Sequence, residues 1–259
     1  MNITSLQNPR VKHLVKLRDD KKQRQHDGLM LVEGHDEINL ALSAGHKPQT
    51  ILTAPELAGR QIHFSSAETI TVSRAVFEKI SYRENPDGWL GVFPTPKVSL
   101  ADLKLSAAPL CIVAESIEKP GNLGAILRTA DAAGVDALLV CDPRVDIYNP
   151  NVIRASRGAL FSVQTIEISN HQAFEFLRQR GIRIVAATPQ ATAEYTRQDL
   201  RGPLAVAVGT EDKGLTDFWL SHADASVKIP MAGKVNSLNV SIATALIVYE
   251  AVRQRGSHV

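Results

Sequence analysis

A chain of 259 residues that is 44% apolar and 22% charged has the composition of a soluble globular protein, with room for one large domain or, better, two smaller ones. No apolar run approaches the roughly 18 to 20 residues of a membrane span, and the opening MNITSLQNPRVKHLVKLRDDKKQR is polar where a secretory signal is apolar, so a cytoplasmic protein is expected. The formal net charge of +2 excludes neither nucleic acid nor a neutral substrate, because a local patch outweighs the sum.

Such a patch comes first along the chain. Between 8 and 24, Arg10, Lys12, Lys16, Arg18, Lys21, Lys22 and Arg24 accompany Val11, Leu14, Val15 and Leu17 at helical spacing. This predicts an amphipathic helix with a cationic face, a solvated surface or a nucleic-acid contact in equal measure. LMLVEG at 29–34 predicts a strand, HDEINLALSAG at 35–45 a helix ended by Gly45, and QTILTAP at 49–55 a second strand. A helix near 73–80 and a strand at 89–95 complete a small α/β domain over 1–97. Residues 98–108, bounded by prolines and weakly patterned, read as a linker.

From 109 onward, apolar strand candidates at 110–115, 137–142, 160–168, 183–188, 204–209 and 226–230 are mostly separated by helical patterns. Near-continuous apolar strands of this kind predict an α/β domain over 109–259, a parallel sheet with helices on both faces. Cys111 and Cys141 stand alone inside PLCIVA and LLVCD without the spacing of a metal site, so buried inert thiols and no metal are expected. His35 reads as a helix start, and Trp89 and Trp219 as core. No GxGxxG fingerprint is present, which argues against a doubly wound oxidoreductase with a dinucleotide cofactor.

Three segments of this second half carry polar residues in a telling order. GNLGAILRTADAAG at 121–134 carries Asn122, Gly124 and Arg128: Gly121 and Gly124 flank what reads as a strand-to-helix turn, and Arg128 falls on the first turns of the following helix, directed into the cleft at the strand ends. AVAVGTEDKGL at 205–215 sets Glu211 between two glycines after an apolar strand, where a tight turn admits a ligand close to the backbone. VKIPMAGKVNSLNVSIATALIVYEAVRQR at 227–255 opens a long helix with Ser237 as N-cap and Asn239 in the first turn. Singly, each has an ordinary structural account: a surface arginine, a common turn, a helix start.

Together, in this order and spacing, they resemble the three signature motifs of the SpoU/TrmH family of RNA ribose 2′-O-methyltransferases, in the SPOUT superfamily. The resemblance implies a C-terminal trefoil knot, against the general rarity of knots, and a homodimer. It implies S-adenosylmethionine bound largely by main-chain groups of Gly209, Ile229 and Leu238, with Thr210, Pro230 and Met231 lining the same pocket. It implies Arg128 as the catalytic residue, with Asn122, Glu211, Ser237 and Asn239 orienting it or the ribose. An arginine stays protonated in proteins, so Arg128 is read as positioning ribose and phosphate and stabilising the forming alkoxide. Ala133 stands where the family often has an aromatic residue, a change confined to packing.

The stretch from Arg24 through GLMLVEGHDEINLAL resembles the small substrate-binding domain that precedes the catalytic domain in rRNA-modifying members. That implies rRNA in preference to tRNA, with Lys12, Lys16, Lys21, Lys22 and Arg24 facing it. NPNVIRASRGALF at 149–161 resembles a further family segment beside the active site and adds Asn149, Arg154, Ser156 and Arg157 as RNA contacts, although Asn149 reads equally as a helix N-cap. An RNA-binding protein of the same fold without catalysis is the alternative, which the intact set of Arg128, Glu211, Ser237 and Asn239 disfavours.

Overall fold

The structure, a computed structural model, describes residues 2–64 and 66–256. In chain order it begins with β1 (Asn2–Ile3), α1 (Pro9–Asp19), α2 (Lys21–Asp27), β2 (Leu29–Glu33), α3 (His35–Ser43), β3 (Thr50–Thr53), β4 (Glu68–Val72), α4 (Arg74–Ile80) and β5 (Trp89–Pro94). It continues through β6 (Leu110–Glu115), α5 (Pro120–Ala132), β7 (Ala137–Cys141), α6 (Pro150–Ala155), β8 (Thr165–Ile168), α7 (Asn170–Gln179) and β9 (Arg183–Ala187). The last elements are β10 (Ala193–Glu194), β11 (Leu204–Val208), α8 (Asp217–His222), β12 (Ala225–Lys228) and α9 (Val240–Gln254). They divide into two compact units: the chain up to Lys97 with Asp146–Ser162, and Val98–Val145 with the chain from Val163.

The first unit is a five-stranded mixed sheet, ordered β1-β4-β3-β5-β2, in which β5 runs antiparallel to both neighbours. Helix α1 starts at an Asn8 cap followed by Pro9, and buries Val11, Leu14 and Leu17, the face the apolar spacing predicts. These residues join Leu31, Leu52, Ile70, Phe77 and Leu90 in one core. The single basic helix expected over 8–24 is broken in two. Asp20 leaves helical geometry and caps α2 by accepting from the Lys22 amide, and Gly28 ends α2 in the left-handed region at φ 63°.

Arg24 does not belong to the cationic face. Its side chain is 3% exposed and pairs with Asp146, Nε to Oδ2 at 2.8 Å, while a further guanidinium N–H pair donates to the carbonyls of Leu17 (2.7 Å) and Arg18 (3.0 Å). A planar fork of donors suits a carboxylate and two carbonyls together, which explains an arginine that ties α1, α2 and the returning 146–162 segment. Residues 98–108 also depart from the linker reading. Leu103 is buried, Leu100 and Leu105 pack beside it on the second unit's core, and the amides of Lys104 and Ser106 donate to Gln164 (2.8 Å) and Asp136 (2.6 Å).

The second unit is a seven-stranded, wholly parallel sheet ordered β10-β12-β9-β11-β6-β7-β8. Alternation sends Cys111, Val113, Leu139, Ile184 and Ala207 toward Phe176, Leu177 and Trp219 of α7 and α8. The intervening Ile112, Ala114, Leu138, Val206 and Val208, all buried, face the side of α5 and α9, which pack on each other. The strand expected from 160 begins only at Thr165, because Ala159–Phe161 forms a 3₁₀ turn within the first unit. Burial pushes the Cys111 thiol up to about 12 and Cys141 likewise upward, leaving both inert. No helix among the described residues is long and apolar enough to cross a membrane.

Candidate functional site

Successive strands are added outward from β6 through β7 to β8, then the chain crosses to the other half of the sheet, laying down β9 and β10 before β11 is inserted between β9 and β6 and β12 between β9 and β10. The reversal falls between β6 and β11, and the loops leaving the C-terminal ends of these strands form the crevice where ligands bind in open parallel sheets. At the end of β6 the buried Glu115 accepts from the Thr216 amide (2.8 Å), the Thr216 hydroxyl (2.7 Å) and the Asn170 side chain (2.7 Å). Asn170 in turn accepts from the indole N–H of Trp219 (2.7 Å). One carboxylate thereby fixes the far end of the 209–216 loop; in the sequence it is only the last letter of an apolar strand.

Helix α5 begins at Pro120, so Gly121 and Gly124 lie inside it and the turn they were expected to form is Ser116–Lys119. Asn122 falls in the first helical turn. The 209–214 loop closes on itself through paired backbone hydrogen bonds between Thr210 and Gly214, at 3.0 and 3.1 Å. A Cβ on Gly209 would lie 2.1 Å from the Gly214 carbonyl oxygen, so this close approach requires glycine. Helix α9 starts later than the sequence suggests. Asn239, not Ser237, is its N-cap, accepting from the Ser241 amide at 3.0 Å and its hydroxyl at 2.6 Å.

These three segments meet. Asn122 Nδ2 donates to Glu211 Oε1 at 2.8 Å, and Asn239 Nδ2 donates to Asn122 Oδ1 at 3.1 Å and also to Glu211. Lys119 Nζ completes the cluster with an ion pair to the other Glu211 oxygen. Lys119, then Asn122, hold the Glu211 carboxyl below the usual carboxylate range. Glu211 is therefore an ionised acceptor that orients two amides, and a poor proton acceptor near neutrality.

Beside the cluster opens a cavity of about 650 Å³, within the range of small-ligand sites. Gly209, Thr210, Ile229, Pro230, Met231 and Leu238 all line it, as do Glu211 and Ser237. Val208, Val227, Val240 and Ile247 make part of its wall apolar. Thr188, Gln190, Glu194 and Lys228, which the sequence reading missed, add polar groups; their signal was their position just past or at the ends of β9, β10 and β12. Apolar walls for a flat ring, loop backbone brought close by Gly209, and polar side chains of both signs at the margin fit a nucleoside joined to a zwitterionic amino acid, as in S-adenosylmethionine.

Arg128 is not brought to this cluster. It stands six residues beyond Asn122 on α5, hence about 9 Å further along the axis and on another side of the helix. Its side chain is exposed, does not line the cavity, and makes no hydrogen bond or ion pair among the described residues. Of the basic residues assigned to RNA, Lys12, Lys16 and Lys22 are exposed on α1 and α2 and Lys21 is half-buried. Asn149 caps α6 by accepting from the Asn151 amide (2.8 Å), Ser156 is buried, and Arg154 and Arg157 are exposed.

Residues 109–249 match the SpoU rRNA Methylase family, and residues 8–91 match the MRM3-like substrate binding domain. The 23S rRNA (guanosine-2′-O-)-methyltransferase RlmB of Pseudomonas putida is 43% identical over 148 residues, or 57% of this chain and 60% of that protein. The match thus spans three-fifths of the length of that curated relative. A crystal structure of an RNA 2′-O ribose methyltransferase is 42% identical with TM-score 0.88, covering 98% of this chain and 99% of its own. A crystal structure of an AdoMet-bound rRNA methyltransferase from Sinorhizobium meliloti is 28% identical with TM-score 0.88, covering 98% and 97%.

Proposed function

The chain belongs to the SpoU rRNA methylase family, and from that premise we propose that it transfers a methyl group from S-adenosylmethionine to a ribose 2′-hydroxyl of ribosomal RNA. The observation that carries this reading is the cluster of Asn122, Glu211 and Asn239. It joins positions 89, 28 and 117 residues apart on the rim of a cavity that fits the cofactor. A fold that needed only its helices capped would not converge three segments on one ionised carboxylate at the sheet's switch point. The match of 8–91 to a substrate-binding domain, and the rRNA methyltransferases among the relatives, support rRNA over tRNA.

When bound, the cofactor supplies an electrophilic methyl on a sulfonium centre. Main-chain groups of Gly209, Ile229 and Leu238 would hold it, with Thr210, Pro230 and Met231 forming part of the same wall. Glu211 fixes the amides of Asn122 and Asn239, and Ser237 lines the same cavity. Arg128, exposed and unpaired among the described residues, is free to take the ribose and phosphate of an incoming strand. As a protonated guanidinium it orients the 2′-hydroxyl and stabilises the alkoxide that develops on attack.

Family membership supports the trefoil knot of the C-terminal segment, and a homodimer built on α9. That helix buries Thr244, Ile247, Val248 and Ala251 but leaves Ile242, Leu246 and Tyr249 at 52%, 38% and 42% exposure, a stripe at helical spacing that a second copy would cover. Light scattering should give twice 28.2 kDa, and a single-chain mass at working concentrations would refute the dimer. A cytoplasmic location fits this reading.

The test of the activity is transfer of labelled methyl to separated unmodified rRNA and tRNA, followed by alkaline digestion. Label in an alkali-resistant dinucleotide from rRNA is expected. Label in tRNA alone would overturn the substrate, and no transfer to either, assembled subunits included, would overturn the activity.

A further inference from the structure

The first unit holds a second cavity, about 710 Å³, that nothing in the methyl-transfer site uses. Its walls are almost wholly polar and charged, and its side chains fall into two groups. Asp36 pairs with Arg60 at 2.9 Å, Glu37 with Arg83 at 2.6 Å, and Asp87 accepts from the His35 amide at 2.7 Å. The second group has no protein partner. The side chains of Arg157, Glu84 and Asn85 are exposed and make no hydrogen bond or ion pair among the described residues. Beside them the buried Nε of Arg83 lacks a partner.

The aromatic member is Tyr82, 43% exposed on the cavity wall, with the Arg154 guanidinium carbon 5.6 Å from its ring centroid. Asn151 Oδ1 accepts from Arg154 (2.8 Å) and so holds the plane of the guanidinium. A tyrosine ring and a fixed guanidinium are both surfaces on which an unstacked base packs.

Arg157 carries an independent mark. Helix α6 ends in paired bonds, from the Arg157 amide to Arg154 O (3.0 Å) and from the Gly158 amide to Ile153 O (3.1 Å), that force residue 157 into the left-handed region, φ 53°. Glycine is the residue that position favours, and an arginine there is strained. Capping explains the conformation but not the side chain, which stands unpaired over the cavity.

We propose that this cavity receives an unpaired RNA nucleotide, its base stacked on the Tyr82–Arg154 pair and its phosphate at Arg157, with Glu84 and Asn85 facing the edge of the base. A carboxylate beside arginines suits a base edge that presents donors and acceptors together, whereas a bare phosphate site would exclude the carboxylate. The inference rests on the RNA reading above and narrows it, from the lysines of α1 and α2 to a cleft that takes a single-stranded residue.

The test uses the full chain, with a random-sequence single-stranded RNA pool and purified unmodified rRNA as probes, and S-adenosylmethionine affinity measured separately. Arg157→Gly should raise or leave unchanged the melting temperature while weakening RNA binding about tenfold, opposite signs that a structural role does not produce. Tyr82→Leu should weaken single-stranded binding about tenfold, and Tyr82→Phe should restore it. All three should keep wild-type cofactor affinity. If Arg157→Gly and Tyr82→Leu bind both probes as wild type does, or if the wild type binds neither probe, the cleft assignment fails. Cofactor binding then still stands or falls on its own result, so loss of this inference is distinguishable from loss of the methyltransferase reading.

Discussion

Two cavities among the described residues handle their polar groups in opposite ways. In the second unit, Lys119, Asn122, Glu211 and Asn239 satisfy one another before any ligand arrives, and the ligand surface beside them is largely loop backbone and apolar wall. In the first unit, the side chains of Arg157, Glu84 and Asn85 have no protein partner among the described residues, on a wall with an exposed tyrosine. A closed network makes a rigid frame whose shape does the selecting. Open groups select through the partner that completes them. A basic residue's role thus follows from what already pairs with it, a rule that single substitutions can break.

Arg24 and Arg128 set its two extremes. Arg24→Ala leaves Asp146 buried without its cation and should cost about 3 to 5 kcal/mol of stability, read as a large fall in denaturant midpoint; an unchanged midpoint would return Arg24 to the RNA-facing surface. Arg128→Ala removes no partner, so the fold should melt as wild type. Its kcat should fall roughly 100- to 1,000-fold, the usual loss of one charge-stabilising donor, with cofactor affinity intact. A variant of Arg128 with full activity would overturn its assignment.

Asn239 tests the closed network from inside, with a smaller effect. Asn239→Ala loses the α9 cap, worth about 0.5 to 2 kcal/mol, and one of the donors on Glu211. Asn239→Asp keeps the capping oxygen but sets a second carboxylate against Glu211. The alanine variant should lose stability and cofactor affinity together; the aspartate variant should hold stability better yet bind cofactor weakly. Wild-type cofactor affinity in both would show that the amide donor does not matter.

How far the sequence exposed this division depends on range. Helix faces and strands were legible because period and caps are local: Val11, Leu14 and Leu17 mark the buried face of α1, and the apolar run 110–115 marks β6. The three motifs were legible by resemblance, and all six residues assigned to the cofactor do line one cavity. What stayed hidden was set by distant partners. Arg24 looks like its basic neighbours until Asp146, 122 residues away, is seen to bury it. Leu100, Leu103 and Leu105 look like linker until the core they join is folded. Ser237 and Asn239 are both acceptable caps, and only the approach of Asn122 and Glu211 decides for Asn239. Arg128 shares a helix with Asn122 but not its face, since six residues turn it to another side of α5.

The smallest effect is in acid, and it belongs to the closed network. Glu211 titrates below the usual carboxylate range, held there first by Lys119 and then by Asn122. A depressed carboxyl contributes stability that is fully present above its unfolded value, about 4.3, and is lost as pH falls through the folded one. The loop that Glu211 fixes should therefore keep cofactor affinity from neutral pH down through the ordinary carboxylate range and weaken only below it. Because the group is near the surface, solvent screens the contribution to overall stability, so the readout is ligand affinity, not melting. Glu211→Gln should bind more weakly at neutral pH and lose this acid dependence. Were the variant to keep the wild-type acid profile, a different carboxylate would govern the loop, and Glu115, which anchors its other end through Thr216, would be the group to replace next.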